Sequence, residues 1–359
     1  MGAAVRSWQR NVEVVPPVWH HVVAPASLRT WFEFFTTNTA DQIHHVGEGD
    51  AYPGDLLGSL KEAGATHVAV HSSHSSLLRD CDIAGELRGA GMVVVAQNRG
   101  CAEIGLDKTR MKRFLESAGF SVPSSVSTDK RWVVKRCGGT EAAGMRLERE
   151  VPALEPGEFA EQFIDGDEFS VVLFAWGGRV ITFPPVYKGP TRIDLIPPYR
   201  RPRVCPAPES FARHCQALRS VARGVAVAAG CEGWMEVEFV LTTAGEPVIL
   251  EFNPRVSGTM RLSAMASRVP VFDLPHLMGS VPDDIRAVRY GAELPWRGSP
   301  IANPAADVFA TSRMTAAADS IPELAAKIAG LGAAPVPYWN GAPDARRRDD
   351  AAVPFTGRT

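Results

Sequence analysis

Two carboxylates and one amide, Glu238, Glu251 and Asn253, are spaced so that a tight hairpin would gather them. Met235, Val237 and Phe239 alternate with Glu236 and Glu238, and Val248, Leu250 and Phe252 alternate with Ile249, Glu251 and Asn253. Period-two alternation puts the acidic residues on one face of a strand pair and the apolar residues on the other. Thr243 to Glu246 supplies the turn. With the hairpin centred on Ala244 and Gly245, Glu238 and Glu251 are predicted to be cross-strand neighbours, their Cβ atoms about 4.5–5.5 Å apart. Such a pair repels itself unless a divalent cation lies between, and Asn253 adds a neutral oxygen on the same face. Oxygen ligands of this kind suit Mg²⁺, which completes its shell with water and substrate phosphates. Arg255 leaves the second strand beside this set, where a planar cation can hold developing negative charge. Taken alone, the pattern fits a solvated acidic hairpin equally well.

A second group of residues suits a nucleotide. Lys135 precedes a turn containing Gly138, Gly139, Thr140 and Gly144, and such a turn can bring backbone N–H groups close to phosphates. It is not a P-loop, because Met145 stands where that motif needs lysine. Further on, Glu161, Gln162, Phe163 and Ile164 end a predicted strand. The backbone of Gln162 and Phe163 could offer a donor and an acceptor to an adenine edge, and Glu168, past the Asp165–Gly166 turn, could accept from ribose hydroxyls. Each motif by itself is more commonly an ordinary turn or acidic hairpin.

These residues need elements to hold them. From about 40 to 105, short apolar runs alternate with helical spacing: strands at 42–46, 66–71 and 92–97, helices at 53–64 and 77–91. That order predicts a parallel sheet in an α/β domain. A first strand is expected at either 12–15 or 20–23. Asp107 caps a helix that ends at Gly119. Strands are expected at 131–135, 159–164, 169–175, 180–183 and 307–314, and helices at 211–229, 257–267 and 321–330. Residues 184–208 hold eight prolines and five Lys or Arg and are predicted to be one long loop, either a lid or a stiff surface excursion. Residues 340–359 read as a disordered tail.

The chain has 359 residues, enough for two or three domains, and a net charge of −2. That balance argues against nucleic-acid binding and gives no polybasic membrane signal. Six cysteines without paired spacing are expected as free thiols in the cytoplasm. No apolar run approaches the ~20 residues that span a bilayer. No Ser–His–Asp or Cys–His set suggests covalent catalysis.

The ordered set resembles the ATP-grasp superfamily: Asp107–Lys108 opening a helix, Lys135 before a glycine-rich turn, Glu161 to Glu168, then Glu238, Glu251, Asn253 and Arg255. The likeness covers roughly residues 40–330. It implies an α/β ATP-grasp fold with a Rossmann-like domain at 1–105 and an ATP-grasp domain at 106–335. Within the latter it implies a small lid at about 124–190 and a metal and substrate part at about 209–335. It implies that Lys108, Lys135, Gly138–Gly144 and Glu161–Glu168 bind ATP. It also implies that Glu238, Glu251 and Asn253 hold two Mg²⁺ ions, with Mn²⁺ as a substitute, and that Arg255 steadies the transferring phosphoryl group. Lys188 and Arg261 join Arg255 as candidate catalytic cations. Ser257, Gly258, Thr259 and Arg261, with His74 and His71 on the facing domain, are candidates to meet the substrates. The implied activity joins a carboxylic acid to an amine through an acyl phosphate, releasing ADP, with a homodimer as the assembly considered. Carboxylation through carboxyphosphate and non-catalytic ATP binding are the alternatives. The chain departs from the family pattern at Arg136, where proline is frequent, and at Cys137.

Overall fold

Short apolar runs recur between residues 22 and 96, and such runs belong in a parallel sheet. In the computed structural model, which describes residues 20–36, 43–47, 54–126, 129–138, 144–196, 200–334, 336 and 338, they do so. Strands His20–Pro25 (β1), Ile43–Val46 (β2), His67–Val70 (β3) and Val93–Val95 (β4) form a parallel sheet in the order β2-β1-β3-β4. Helices Arg29–Phe35 (α1), Leu56–Glu62 (α2) and Leu77–Gly89 (α3) connect them. Of the two candidates for the first strand, the second is the one seen; residues 12–15 lie outside the described residues. An unanticipated helix, Arg99–Leu106 (α4), follows, capped by Asn98. Lys108–Ser117 (α5) starts where Asp107 was expected to cap it: its carboxylate accepts from Thr109 N at 2.8 Å and Arg110 N at 3.0 Å. Gly119, at φ +81°, takes the left-handed conformation that lets the chain turn away.

Trp132–Arg136 (β5), Arg146–Glu148 (β6) and Glu158–Gln162 (β7) make a small antiparallel sheet in the order β6-β5-β7. The remaining strands build one large antiparallel sheet. They are Gly166–Trp176 (β8), Arg179–Thr182 (β9), Val186–Pro190 (β10), Arg203–Cys205 (β11), Gly233–Thr242 (β12), Pro247–Asn253 (β13), Tyr290–Pro295 (β14), Ile301–Asn303 (β15), Val308–Ala310 (β16) and Arg313–Ala318 (β17). The order is β13-β12-β8-β10-β11-β14-β17-β16-β15, with β9 pairing on β8. Helices Ala212–Ala228 (α6), Thr259–Ser267 (α7), Leu274–Leu277 (α8) and Ile321–Gly330 (α9) complete the fold.

Three expectations need correction. The proline-rich stretch 184–208 is not one loop, because β10 and β11 lie within it; Pro185, Pro202 and Pro206 flank these strands and Pro190 ends β10. The single strand expected at 307–314 is a hairpin, β16 and β17, turning at Thr311 and Ser312. Strand β14 was not foreseen: its run of Tyr290, Gly291, Ala292, Glu293 and Leu294 lacks the β-branched residues that mark a strand. The tail expected at 340–359 lies outside the described residues; just before it, Tyr338 packs edge-on against Tyr187 at 4.9 Å.

Strands β8 and β12 lie at the centre of the core and are buried on both faces. Phe169, Val171, Leu173, Met235, Val237 and Phe239 pack with Leu218, Ala222 and Val225 of α6. The opposite face, Val172, Phe174 and Trp234, packs with Met260 of α7 and with Val22, Phe32 and Phe272. Each such side chain contributes about 1.5–3 kcal/mol by leaving water. One polar tie adds direction. Gln97 Nε2, buried after β4, donates to Trp234 O at 3.1 Å and to Pro254 O at 3.2 Å, fixing the parallel sheet against the end of β13. Among the described residues, no helix is long and apolar enough to cross a membrane.

The Asp107 cap yields a measurable expectation. Asp107→Ala leaves two N–H groups at the start of α5 without their carboxylate and should destabilise the protein by about 1 kcal/mol. A urea titration that shows no fall in midpoint would contradict this account of the helix start.

Candidate active site

The acidic hairpin has the predicted pairing, for a reason the sequence did not reveal. Glu238 pairs with Glu251 and Glu236 with Asn253, but beyond them Phe239 pairs with Ile249, so Leu250 is an extra residue in β13. The turn holds three residues rather than two, with Gly245 at φ +84° and Thr242 N donating to Glu246 O at 2.9 Å. Without the bulge at Leu250, this longer turn would put Glu251 out of register with Glu238. The bulge restores it.

A second bulge supplies the charge that this pair needs. In β10, Tyr187 pairs with Phe169 and Gly189 with Glu168, which leaves Lys188 as the extra residue. Gly189, at φ +93°, absorbs the bend. Lys188 is only 1% exposed and reaches across β8 to Glu238 at 2.9 Å and Glu236 at 3.4 Å. Lys108, the first residue of α5, pairs with Glu251. Burial raises the Glu238 carboxyl above its ordinary value, aided by Glu236 and Glu251 and opposed by Lys188. Burial pushes Glu251 the same way, but Lys108 and Lys135 outweigh it and hold the carboxyl at about 2. Lysines therefore answer the repulsion in part, and a carboxylate set of unequal basicity remains facing the cleft. Two carboxylates and the Asn253 amide form an oxygen donor set that fits Mg²⁺.

The cleft encloses about 560 Å³. It is lined by Lys108, Lys135, Gly138, Glu161–Ile164, Glu168, Glu238, Glu251, Asn253, Arg255, Ser257, Gly258, Thr259, Arg261 and His74, which is most of the set proposed from sequence. Gly144, at φ +74°, lies beside the Arg136 side chain rather than in the lining, and Lys188 is buried against Glu236 and Glu238 rather than lining it. Gly139 and Thr140 lie outside the described residues.

On the nucleotide side, Lys135 of β5 pairs with Glu161 of β7, which Lys112 also approaches at 3.7 Å. Burial depresses the Lys135 ammonium, but Glu161, Glu251 and Glu238 raise it overall, so it stays charged. The expected backbone donors need adjustment. Gln162 N donates to Ser124 O at 2.8 Å and Phe163 N to Arg131 O at 3.0 Å, so neither N–H is available to an adenine edge. The N–H of Ile164 has no backbone acceptor among the described residues. Glu168 faces the cleft but is held by Arg201 at 2.6 Å. Cys137 acquires a structural part: its carbonyl accepts from Lys108 N at 3.0 Å, and its thiol lies 3.0 Å from the Thr109 hydroxyl. The approach to the glycine turn is thereby tied to the start of α5.

At the other end, Arg255 donates to Asn253 Oδ1 at 3.1 Å and to Val256 O at 3.1 Å. Arg261, considered above as a catalytic cation or a substrate partner, is 4% exposed. It donates to Glu293 at 3.2 Å and stacks on Trp31 at 4.5 Å. His71 does not face the cleft. It packs against the stacked rings of Phe32 and Phe272, and burial lowers it to about 3, so it is a neutral core residue. His74 does line the cleft; burial and then Arg255 lower it, with Glu251 opposing. Sequence reasoning missed Glu236, Arg203, Glu293 and Arg313 as residues of this region. Glu236 was legible, since it shares Glu238's face two positions earlier on the same strand. Glu293 and Arg313 lie on strands that were missed or misplaced.

With this geometry in view, comparison with known proteins is informative. Residues 106–259 match the family model of an ATP-grasp domain. A D-alanine–D-alanine ligase of Laribacter hongkongensis is 25% identical over 239 residues, covering 59% of this chain and 76% of the relative. The crystal structure of an L-amino acid ligase from Bacillus licheniformis superposes with a TM-score of 0.61 at 15% identity, over 88% of this chain and 98% of that one. An N5-carboxyaminoimidazole ribonucleotide synthetase from Thermus thermophilus gives the same TM-score of 0.61 at 15% identity, over 88% of this chain and 99% of that one. The last two likenesses speak for the fold alone. The matched residues identify 106–259 as an ATP-grasp domain, and the chain as a whole has the fold of these two enzymes.

Proposed function

We propose that the protein is an ATP-dependent carboxylate–amine ligase that activates a carboxylic acid as an acyl phosphate and releases ADP and phosphate. The observation that carries this reading is the convergence of Lys108, Lys135, Arg255 and the opposed pair Glu238 and Glu251 on one cleft. Their charges gather at one place, as transfer of a terminal phosphoryl group requires. The amide-forming relatives support the same class.

Glu238, Glu251 and Asn253 would hold Mg²⁺, two ions in our reading with Mn²⁺ as a substitute, and the metal when bound supplies positive charge to the distal phosphates. Lys108 and Lys135 align the triphosphate. The Ile164 N–H and neighbouring carbonyls take the adenine edge, and Glu168 takes the ribose. A substrate carboxylate oxygen attacks the γ-phosphorus, and the bond to ADP breaks. The amine nitrogen then attacks the acyl carbon, phosphate leaves, and the amide remains. Arg255 holds the phosphoryl oxygens through both steps; a planar fork serves better than a point charge. His74, kept neutral by burial and Arg255, is placed to accept the proton that the amine loses.

Two experiments test this reading. Glu251→Gln removes a charge from the metal face while keeping its shape. ADP formation should fall by a factor of about 10²–10³, as when a single charge-stabilising group is lost, in protein that a melting curve shows to be folded, since Lys108 loses its carboxylate partner. Normal turnover in that variant would sink the metal assignment. Substrate labelled with ¹⁸O in its carboxylate should deliver one labelled oxygen to the released phosphate. Label in AMP, or unlabelled phosphate with amide formed, would move the chemistry elsewhere.

A further inference from the structure

Beyond the metal hairpin, the cleft ends in an arrangement that the ligase reading does not require. Glu293 of β14 is fully buried, and three arginines surround it. Arg313 of β17 pairs with its Oε1. Arg203 of β11 reaches the same oxygen at 3.3 Å, and Arg261 of α7 reaches Oε2 at 3.2 Å. For Arg203 and Arg261 this shared carboxylate is the ion-pair partner found among the described residues, and each is more than nine-tenths buried. Among the same residues the Nε of each has no hydrogen-bond partner, nor has the Ser257 hydroxyl, which is 4% exposed. The two guanidiniums bracket Gly258: a methyl group there would touch Arg203 at 3.7 Å and Arg261 at 3.9 Å. All three arginines, with Ser257, line the cleft.

A buried charge without its own counter-ion is expensive, and a site that keeps such charges is a site for an anion. Glu236 faces Arg203 from the metal side but is already held by Lys188. Burial lowers the Arg261 guanidinium, Glu293 opposes that shift, and Arg203 adds to it. Arg255, the cation beside the reacting centre, is separately engaged with Asn253 and Val256. The cluster adjoins that centre through Thr259, whose hydroxyl accepts from Arg203 at 3.1 Å.

We propose that the Arg203–Arg261–Glu293–Arg313 cluster is a specificity subsite, and that the acid the enzyme activates carries a second anionic group that binds there. This rests on the ligase reading for which group reacts, but not for whether the anion binds. The substrate is then a dicarboxylate or a phosphono- or phospho-carboxylate. Its distal anion takes the Arg203 and Arg261 N–H groups and the Ser257 hydroxyl, while its other carboxylate faces the phosphates. Trp31, stacked on Arg261, closes the subsite from the parallel-sheet side.

The test is direct binding to the full chain without ATP, read by calorimetry and thermal shift. The probes are dicarboxylates of about three to six carbons and 3-phosphonopropionate, each set against the acid in which the second anion is replaced by a primary amide. At least one dianion should bind about tenfold or more tightly than its amide, because the amide leaves buried guanidiniums unmatched. Arg203→Gln should bring that ratio to within about threefold of one, and Arg203→Lys should recover part of it. Equal binding of dianions and amides across the series by the wild-type protein would overturn the proposal, whether or not the variants fold. So would a preference that survives in folded Arg203→Gln. Binding that meets the expectation in a protein that never releases ADP with any acid and amine would uphold the subsite and defeat the ligase reading, so the two fail separately.

Discussion

The buried ammonium of Lys188, set between Glu236 and Glu238, is the interaction around which the cleft is arranged. Carboxylates on adjacent outward positions of one strand, opposed by a third across the ladder, would push β12 and β13 apart. A cation reaching across β8 to these carboxylates cancels part of that repulsion. Its position has a cost, since an ammonium at 1% exposure gives up its hydration. Two carboxylate partners offset it. What remains on the cleft side is a set of oxygens whose basicities have been pushed apart, Glu238 upward and Glu251 downward.

Much of this was legible in the residues. The order of strands and helices from 43 to 95 follows apolar runs, because a parallel sheet buried on both faces leaves little room for other patterns. The Asp107 cap and the Glu238–Glu251 pairing were also readable, each being local: one side chain reaching its own helix start, one hairpin folding on itself. The cleft residues that escaped are those brought in from far along the chain. Glu293 and Arg313 matter only because β14 and β17 join the large sheet beside β11, and no local spacing records that neighbourhood. The proline-rich stretch misled for a related reason. Proline argues against a central strand, yet Pro190 ends β10, and Pro202 and Pro206 flank β11, so the rule was obeyed and the inference of a loop was too broad.

Burial also redistributed roles among residues that sequence treats alike. His71 and His74 stand close together in the chain, and either could have served as a base. One lies among aromatic rings and is neutral at any working pH; the other shares the cleft with Arg255. Arg255 and Arg261 likewise differ only in surroundings. The first holds the backbone turn after β13, while the second is enclosed with two other arginines around Glu293. The tie from Gln97 to Pro254 sets the parallel sheet against that same turn, so the two halves of the cleft have a common reference point.

The extra residue at Leu250 has a consequence for how this hairpin can change over time. A strand pair has parity: adding or removing one residue at its tip would ordinarily send every later side chain to the opposite face. Here the bulge lies between the tip and the site, and separates two ladders that count differently, one from Phe239 outward and one from Glu238 inward. A tip shortened by one residue can be matched by loss of the bulge, with Glu238 still opposite Glu251. The turn at Thr242 to Glu246 is thus insulated from the chemistry it folds, and insertions or deletions there need not be read as changes of function.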